Sequence, residues 1–218
     1  MRIHLKLRSE KKPVPFNYQP QITGAIHKWI GKNEIHDKTS MYSFSWLQGG
    51  KKRGDHLIFE NGAIFEFSSY DNTLIKALIR GIQIDPIINF GLEVSELTLQ
   101  EPPIFSPKEV FYVSSPILVK RKVEEKEIHY TYNNPECDIL LTETLKTKLR
   151  KAGISDKNIN VSFYRGYPMA RTKIIYYNKI GNRVNICPVE IAGSPEQIAF
   201  AWNVGIGNST GIGFGALK

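Results

Sequence analysis

The segment GIGNSTGIGFG, residues 205–215, places five glycines within eleven residues, and the interpretation of the whole chain depends on it. A flexible linker would not interleave its glycines with Ile206, Ile212 and Phe214. The glycine spacing also differs from the G-x-G-x-x-G pattern of dinucleotide-binding loops, and no P-loop lysine follows. We therefore predict an ordered loop. It is either a set of tight turns or a backbone surface that approaches an anion such as a phosphate chain.

A predicted helix precedes this loop, and strands and helices alternate upstream of it. Ser194 is a suitable N-cap and Pro195 a suitable first residue for a helix over residues 194–205. Hydrophobic periodicity predicts the other elements of this half, which are a strand at 112–121, a helix at 137–153 and strands at 158–165, 172–178 and 184–193.

The first half of the chain predicts a similar order. Residues 2–8 alternate strictly between apolar and polar side chains, as in a half-buried strand, and residues 20–31 carry a helical apolar stripe. A second helix begins with Asn72 or Asp71 as its N-cap. The remaining predicted strands are 41–47, 56–69 and 90–100.

The resulting order, β-α-β-β-α-β, is typical of a ferredoxin-like unit, and the plan recurs after the proline-rich residues 101–109. We therefore predict an α+β fold of two tandem ferredoxin-like (RRM-like) domains with a C-terminal glycine-rich loop. The predicted domains are residues 1–105, with the candidate catalytic histidine, and residues 110–218, with the glycine loop.

Composition restricts the function classes. The 218-residue chain has 29 Lys+Arg against 21 Asp+Glu, and a net charge of +8 favours a polyanionic partner such as nucleic acid. No apolar run is long enough to span a membrane and no signal-peptide pattern follows Met1, so we expect a cytoplasmic protein without a membrane partner. Cys137 and Cys187 predict free thiols rather than a disulfide framework.

Three motifs together resemble the repeat-associated RNA-binding (RAMP) superfamily of CRISPR systems. They are the glycine loop with its preceding helix, the segment EIHDKTSMYSFSWL at residues 34–47, and Ser115-Pro116-Ile117. Within that superfamily the chain is similar to the endoribonuclease that cuts the CRISPR transcript at its repeats, where a His-Asp pair such as His36-Asp37 stands before a strand. The resemblance covers nearly the whole chain and implies both the tandem fold and RNA cleavage.

The resemblance implies cleavage without a metal or another cofactor. The ribose 2′-OH attacks the adjacent phosphorus, and the product carries a 2′,3′-cyclic phosphate or a 3′-phosphate. Histidine suits the proton transfers because its ordinary pKa lies near neutrality. We predict His36 as the catalytic histidine and His27, on the first helix, as its rival. The candidates for a second catalytic residue are Tyr18, Lys28, Lys38 and Tyr42.

The predicted RNA contacts lie in the glycine loop and at basic positions outside it. The loop contacts are Gly205, Gly207, Asn208, Ser209, Thr210, Gly211 and Gly213, and the others are Lys28, Lys51, Lys52, Arg53, Arg165 and Arg171. Two more clusters, at residues 120–122 and at Lys146, Lys148, Arg150 and Lys151, suit a phosphate track, although each cluster alone is more typical of a solvated surface.

The predicted partners are CRISPR repeat RNA and other subunits of a CRISPR interference complex, and the predicted assembly is a monomer or a homodimer. Two other functions stay open from the sequence. The first is a non-catalytic RNA-binding subunit of such a complex, which the glycine loop fits equally well. The second is a basic ferredoxin-like module with an unrelated anionic partner.

Overall fold

The computed structural model describes residues 1–31 and 39–218, which form α-helices and antiparallel β-sheets. The helices of this part are α1 (Gln19–Ile30), α2 (Asn72–Ile84), α3 (Glu136–Lys151) and α4 (Pro195–Val204). The strands are β1 (Arg2–Ser9), β2 (Val14–Pro15), β3 (Tyr42–Phe44), β4 (Lys51–Arg53), β5 (His56–Ile58), β6 (Ala63–Ser69), β7 (Leu92–Gln100), β8 (Lys108–Phe111), β9 (Ile117–Leu118), β10 (Lys120–Val123), β11 (Lys126–His129), β12 (Asn160–Phe163), β13 (Arg171–Tyr177), β14 (Ile180–Ile186) and β15 (Val189–Ala192). The predicted α+β class is confirmed.

The first half is built on a four-stranded sheet in the order β3-β6-β1-β7. Strand β1 alternates as predicted, with Ile3, Leu5 and Leu7 fully buried in a core shared with α1 and α2. In register, Leu5 lies opposite Phe65 on β6 and Leu97 on β7. This alternation places His4, Lys6 and Arg8 on the face of the sheet away from the helices. A small separate sheet, β2-β5-β4, projects from this half.

The second half contains two three-stranded sheets, β12-β15-β8 and β13-β14-β9, and the hairpin β10-β11. The single strand predicted at 112–121 is wrong. Strand β8 ends at Phe111, Val113 forms only an isolated bridge with Leu217, and β9 begins at Ile117. Pro116 explains the interruption because it has no N–H to donate to a strand ladder.

Capping side chains fix where two of the helices begin. Asp71 is the N-cap of α2, and its Oδ1 accepts from the Thr73 N–H at 2.7 Å, which decides between the two N-caps left open by the sequence. Ser194 caps α4 in a reciprocal pair with Gln197, as the sequence predicts. None of the helices formed by the described residues is long and apolar enough to cross a membrane.

Arg2 ties the start of the chain to its last residues. Its guanidinium donates to the carbonyl oxygens of Trp202 at 3.1 Å and Leu217 at 2.7 Å. The same group lies 3.7 Å from the centre of the Trp202 ring. Strand β1 of the first half is therefore held against α4 and the residues that follow the glycine loop.

Candidate nucleic-acid interface

The glycine loop, residues 205–215, is an ordered and mostly buried segment between α4 and the end of the chain, as the sequence predicts. Within it, Ile206 N–H donates to Gly215 O at 2.8 Å, and Gly215 N–H donates to Pro116 O at 2.8 Å. Asn208 N–H donates to Leu118 O at 2.8 Å, and a short 3-10 helix follows. The loop is thus bonded to itself and to the segment around β9.

Packing within the protein requires glycine at several loop positions. Gly205 and Gly207 have φ angles of +71° and +81°, which L side chains rarely adopt. A Cβ on Gly207 would lie 2.5 Å from Leu118 O, and one on Gly213 would lie 2.9 Å from the Phe44 ring. The tight-turn alternative therefore has a physical basis of its own, and RNA contact by the loop stays a prediction.

Backbone donors remain in the loop after this packing is considered. The N–H groups of Ser209, Thr210 and Gly211 have no hydrogen-bond acceptor within residues 1–31 and 39–218. Three consecutive amide donors of this kind can bind an anion. Thr210 and Gly211 are buried, and phosphate contact by this short run stays a prediction.

A histidine and a tyrosine converge on the same part of the loop. His27 is half-buried on α1, and its Nε2 lies 3.4 Å from the Tyr42 Oη on β3. Tyr42 is buried, and its Oη donates to Gly211 O at 3.3 Å. Burial, with a contribution from Tyr177, raises the pKa of Tyr42 to about 12, so the phenol keeps its proton near neutral pH.

The hydrogen-bond roles in this contact depend on the tautomer of His27. With the Tyr42 proton directed to Gly211 O, the phenol oxygen can accept from the Nε2–H of the tautomer that carries its proton there. The contact places an imidazole, which can transfer protons near neutral pH, beside the glycine loop.

Lys148, on α3, contacts the loop from the protein interior. The sequence analysis placed it on the surface. Its Nζ donates to Val204 O and to Thr210 Oγ1, each at 2.9 Å, and the side chain is fully buried. Burial lowers the pKa of Lys148 to about 7. The prediction that Lys148 belongs to a surface phosphate track is therefore wrong. The available signal was helical spacing, since Lys148 lies seven residues after Leu141 and three after Leu145 on the buried stripe of α3.

Two of the predicted catalytic residues cannot be compared with the structure. His36 and Lys38 lie outside the described residues, together with Asp37 of the same motif. Of the other candidates for a second catalytic residue, Tyr18 is buried and its Oη accepts from the Leu47 N–H at 3.0 Å, which commits its hydroxyl oxygen to a backbone contact. The catalytic roles of His36, His27, Tyr42 and Lys38 all stay predictions.

Lys28 and two of the basic residues on β4 are already paired with carboxylates. Lys28 Nζ donates to Asp85 Oδ2 at 2.8 Å and to Ile87 O at 2.6 Å. On β4, Lys51 and Arg53 both contact Glu60, at 3.0 and 3.4 Å. Lys52, between them, is exposed and has no carboxylate partner among the described residues.

In the second half, several predicted contacts also serve the fold. Arg165 donates to Asp138 Oδ2 at 2.7 Å and to Tyr132 O at 2.8 Å. Asn208 Oδ1 accepts from the Lys120 N–H at 2.9 Å. Arg171 lies exposed on β13, and its Nη1 donates to Met169 O at 3.1 Å. The structure therefore brings His27, Tyr42 and the loop together, and it distributes the basic candidates over separate elements.

The remaining histidines and the two cysteines lie among residues 1–31 and 39–218, which the structure describes. Within the described ranges, no group of three or more His, Cys, Asp or Glu side chains is arranged to hold a metal ion. His4 lies 2.6 Å from Gln100 Oε1, His56 pairs with Asp55 and His129 pairs with Glu127. Cys137 and Cys187 are free and buried, as the sequence predicts.

Comparisons with known proteins agree on one family. A family model described as "CRISPR associated protein Cas6, C-terminal" matches residues 99–218. The CRISPR-associated endoribonuclease-like protein Cas6 of Pyrococcus furiosus is 22% identical over 241 residues, covering 100% of this chain and 98% of that protein.

Solved structures share the fold over the whole chain. One, described as "CRISPR associated protein Cas6", superposes with a TM-score of 0.84 at 23% identity, covering 100% of this chain and 98% of its own. Another, described as "An RAMP protein binding different RNA substrates", gives a TM-score of 0.85 at 20% identity with the same coverage, 100% and 98%. The fold is therefore that of the Cas6 and RAMP proteins.

Proposed function

The chain belongs to the Cas6 family of CRISPR-associated proteins, and on that premise we propose that it is an endoribonuclease that binds CRISPR repeat RNA and cleaves the precursor transcript into guide RNAs. The observation that carries the proposal is the convergence of His27 and Tyr42 on Gly211 of the glycine loop. This arrangement combines a proton-transfer group with a backbone surface suited to phosphate. The family name of the Pyrococcus relative, an endoribonuclease-like Cas6 protein, supports the activity.

The proposed reaction needs no metal ion. The ribose 2′-OH attacks the adjacent phosphorus, the 5′-oxygen leaves, and the product ends in a 2′,3′-cyclic phosphate. A base removes the 2′ proton and an acid protonates the leaving oxygen, and histidine can do both near neutral pH. Tyr42 keeps its proton because its pKa is raised to about 12, so we assign it to orienting His27 and not to the base.

We keep His36 as the first candidate for the catalytic histidine and His27 as the second. His36 rests on the sequence motif alone, with Lys38 beside it as a candidate to stabilise the negative phosphorane. His27 has the additional support of its contact with Tyr42, which holds the imidazole ring beside the glycine loop. The two histidines can divide the acid and base roles between them.

We propose that RNA binding uses the free loop amides and the unpaired basic side chains. The N–H groups of Ser209, Thr210 and Gly211 supply three donors for one phosphate. Lys52 supplies a cation without a carboxylate partner in the described part of the chain. A net charge of +8 supports binding to a polyanion and predicts strong dependence on salt.

We further propose that each half is a ferredoxin-like unit, with boundaries at residues 1–105 and 110–218. The sheet order β3-β6-β1-β7 supports this for the first half. Counted along the chain, the first and third strands of this sheet (β1 and β6) are central and the second and fourth (β3 and β7) are at the edges, as in a ferredoxin-like unit. In the second half, β12-β15-β8 with the bridge between Val113 and Leu217 supports the same order.

The test is cleavage of labelled repeat RNA from the CRISPR array of the same genome, with EDTA in the buffer. We expect cleavage in EDTA, a 2′,3′-cyclic phosphate on the product, and no cleavage when the scissile nucleotide lacks its 2′-OH. We expect His36→Ala to slow cleavage by about 10²–10⁴-fold while affinity is retained, since general acid–base catalysis typically contributes that much.

His27→Ala is the paired variant, and His56→Ala, on β5 and paired with Asp55, is the control. If His27→Ala loses activity and His36→Ala does not, His27 on α1 is the catalytic histidine. Activity that depends on magnesium would contradict the mechanism. If the wild type binds the repeat and never cleaves it, the protein is instead the non-catalytic RNA-binding subunit.

A further inference from the structure

A groove of about 530 Å³ lies between the first half of the chain and strand β13 of the second. Its volume falls in the range of sites that hold small molecules. Two exposed aromatic rings line it from opposite sides, with Phe16 44% and Tyr176 57% exposed. The groove is distinct from the contact of His27, Tyr42 and Gly211 described above, because its lining contains none of these residues.

Positive charge accompanies the aromatic rings. Lys52 lines the groove, and its Nζ lies 5.9 Å from the centre of the Phe16 ring. Lys173, on β13, lines the opposite side and is exposed. Neither lysine has a carboxylate partner among the described residues, so both can neutralise a phosphate.

A buried amide in the lining lacks a partner. Gln19 is only 2% exposed, yet its Oε1 accepts no hydrogen bond from the described residues. Such an atom calls for an explanation, since most buried polar side-chain atoms are hydrogen-bonded. The nearby Trp46 indole cannot supply the proton because its Nε1–H donates to Gly213 O at 3.0 Å. The Gln19 oxygen has almost no accessible surface, so a ligand that brings a donor can reach it only when the side chain rotates toward the groove.

We propose that this groove holds one unpaired nucleotide of the bound RNA, with its base stacked on Phe16 or Tyr176 and an amino group donating to Gln19 Oε1. Lys52 and Lys173 would lie beside the flanking phosphates. Stacking on aromatic rings tolerates every base. The Gln19 acceptor adds a preference for adenine, cytosine and guanine, whose amino groups project from the ring, over uracil, whose only base donor is the ring N3–H.

The groove also adjoins the glycine loop, because Trp46 lines the groove and donates to Gly213 of the loop. A strand that contacts the loop amides could therefore continue into the groove. The inference rests on the proposed function only in that RNA is the ligand, and it makes no use of the catalytic histidines.

The experiment measures the affinity of the full-length protein for ten-nucleotide strands of oligo(A), oligo(C) and oligo(U). We expect oligo(A) and oligo(C) to bind more tightly than oligo(U). Phe16→Ala and Tyr176→Ala should each weaken binding of all three by about 5- to 150-fold, the range typical of base–aromatic stacking. Both side chains are exposed, so these variants should keep the wild-type melting temperature.

Gln19→Met separates recognition from folding. It removes an unsatisfied acceptor, so its melting temperature should match or exceed that of the wild type, while the preference over oligo(U) should disappear. Ile180→Ala, an exposed residue of β14 outside the groove lining, is the control and should bind as the wild type does. Wild-type affinity in Phe16→Ala and Tyr176→Ala, or no base preference in the wild type, would overturn the proposal.

Repeat RNA distinguishes this failure from a failure of the proposed function. If the wild type binds and cleaves the repeat while the groove variants bind it unchanged, the groove proposal alone is wrong. If the wild type does not bind the repeat, but the groove variants lose affinity for the short strands as expected, the groove proposal is supported and the repeat-processing function is wrong.

Discussion

The glycine loop and the basic hairpin of β4 and β5 have similar sequence features, but the loop is mostly buried and strand β4 of the hairpin is exposed. Both combine glycines at positive φ with residues predicted to touch RNA. In the loop, an added Cβ on Gly207 would lie 2.5 Å from a backbone oxygen. In the hairpin turn, Gly54 has a φ of +60° and nothing within 4 Å of its would-be Cβ. The residue type predicts the backbone conformation in both, and only the packing tells which glycine the fold depends on.

The lysines of the two regions differ in the same way. Lys148 is fully buried under the loop and bonded to Val204 O and Thr210 Oγ1. Lys52 is exposed and has no carboxylate partner in the described part of the chain. A buried lysine supports the loop from within, whereas an exposed one can meet a phosphate. The variants below test this contrast, beginning with the largest expected effect.

Gly207→Ala should destabilise the protein strongly, and Gly54→Ala should not. Alanine at a left-handed position costs about 1–2 kcal/mol, and overpacking against Leu118 O adds about 1–3 kcal/mol. We therefore expect urea denaturation to show a loss of about 3 kcal/mol in unfolding free energy for Gly207→Ala. Gly54→Ala should lose only the conformational part, about 1–2 kcal/mol.

Equal losses of unfolding free energy in these two variants would mean that only the left-handed backbone conformation matters at Gly207, and that packing against Leu118 O adds nothing. Repeat-RNA affinity supplies a second measurement. If Gly207→Ala is destabilised but still folded and binds RNA as the wild type does, the loop has a structural role only. The RNA would then be held elsewhere.

Lys148→Met should flatten the pH dependence of stability. The folded pKa of Lys148 is lowered to about 7, so the unfolded chain binds more protons from there up to the ordinary value of 10.5. The unfolding free energy of the wild type should consequently rise with pH across that window, by a contribution that Lys148→Met lacks. Urea denaturation at pH 7, 8 and 9 measures the difference.

Lys52→Met is the matched control, and its profile should run parallel to that of the wild type because its side chain is exposed. Parallel profiles for the wild type and Lys148→Met would show that Lys148 stays charged in the folded protein. Titration of the buried tyrosines and cysteines affects all three proteins equally and cancels in the comparison.

Lys52→Ala should weaken binding to repeat RNA more than Lys51→Ala does. Lys51 is paired with Glu60 at 3.0 Å, and this contact lowers the pKa of the Glu60 carboxyl. Losing one phosphate contact should reduce the slope of log affinity against log salt by about 0.7–0.9 for Lys52→Ala. Titrations at several salt concentrations test this, and equal slopes for both variants would contradict the distinction.

Much of the fold follows from periodicity. Helices predicted at 20–31 and 194–205 are observed as Gln19–Ile30 and Pro195–Val204, and the strand at 2–8 is observed as Arg2–Ser9. Periodicity did not predict strands that are defined by their pairing with another strand and not by an apolar pattern. The hairpin β10-β11 consists mainly of polar and charged residues, so its sequence carries no apolar alternation.

The candidate site was harder to predict than the fold because the burial of individual side chains was misjudged. The basic residues near Lys148 suggested a surface cluster, although the helical spacing of Lys148 from Leu141 and Leu145 places it on the buried stripe of α3. The contact of Tyr42 with Gly211 joins residues 169 positions apart, which no local pattern reveals. The groove beside Phe16 combines segments from both halves, and of the residues that line it the sequence analysis had proposed a role only for Tyr18 and Lys52.

The Arg2 contact has a consequence for how the protein is made. Arg2 is synthesised before its acceptor, because the carbonyl that accepts its 2.7 Å bond belongs to Leu217, 215 residues later in the chain. A guanidinium without acceptors would not be buried, so we expect this end of β1 to stay hydrated until Leu217 has been synthesised. We therefore expect this contact between β1 and α4 to form late in folding, and a nascent chain that lacks Leu217 to expose the α4 face to chaperones.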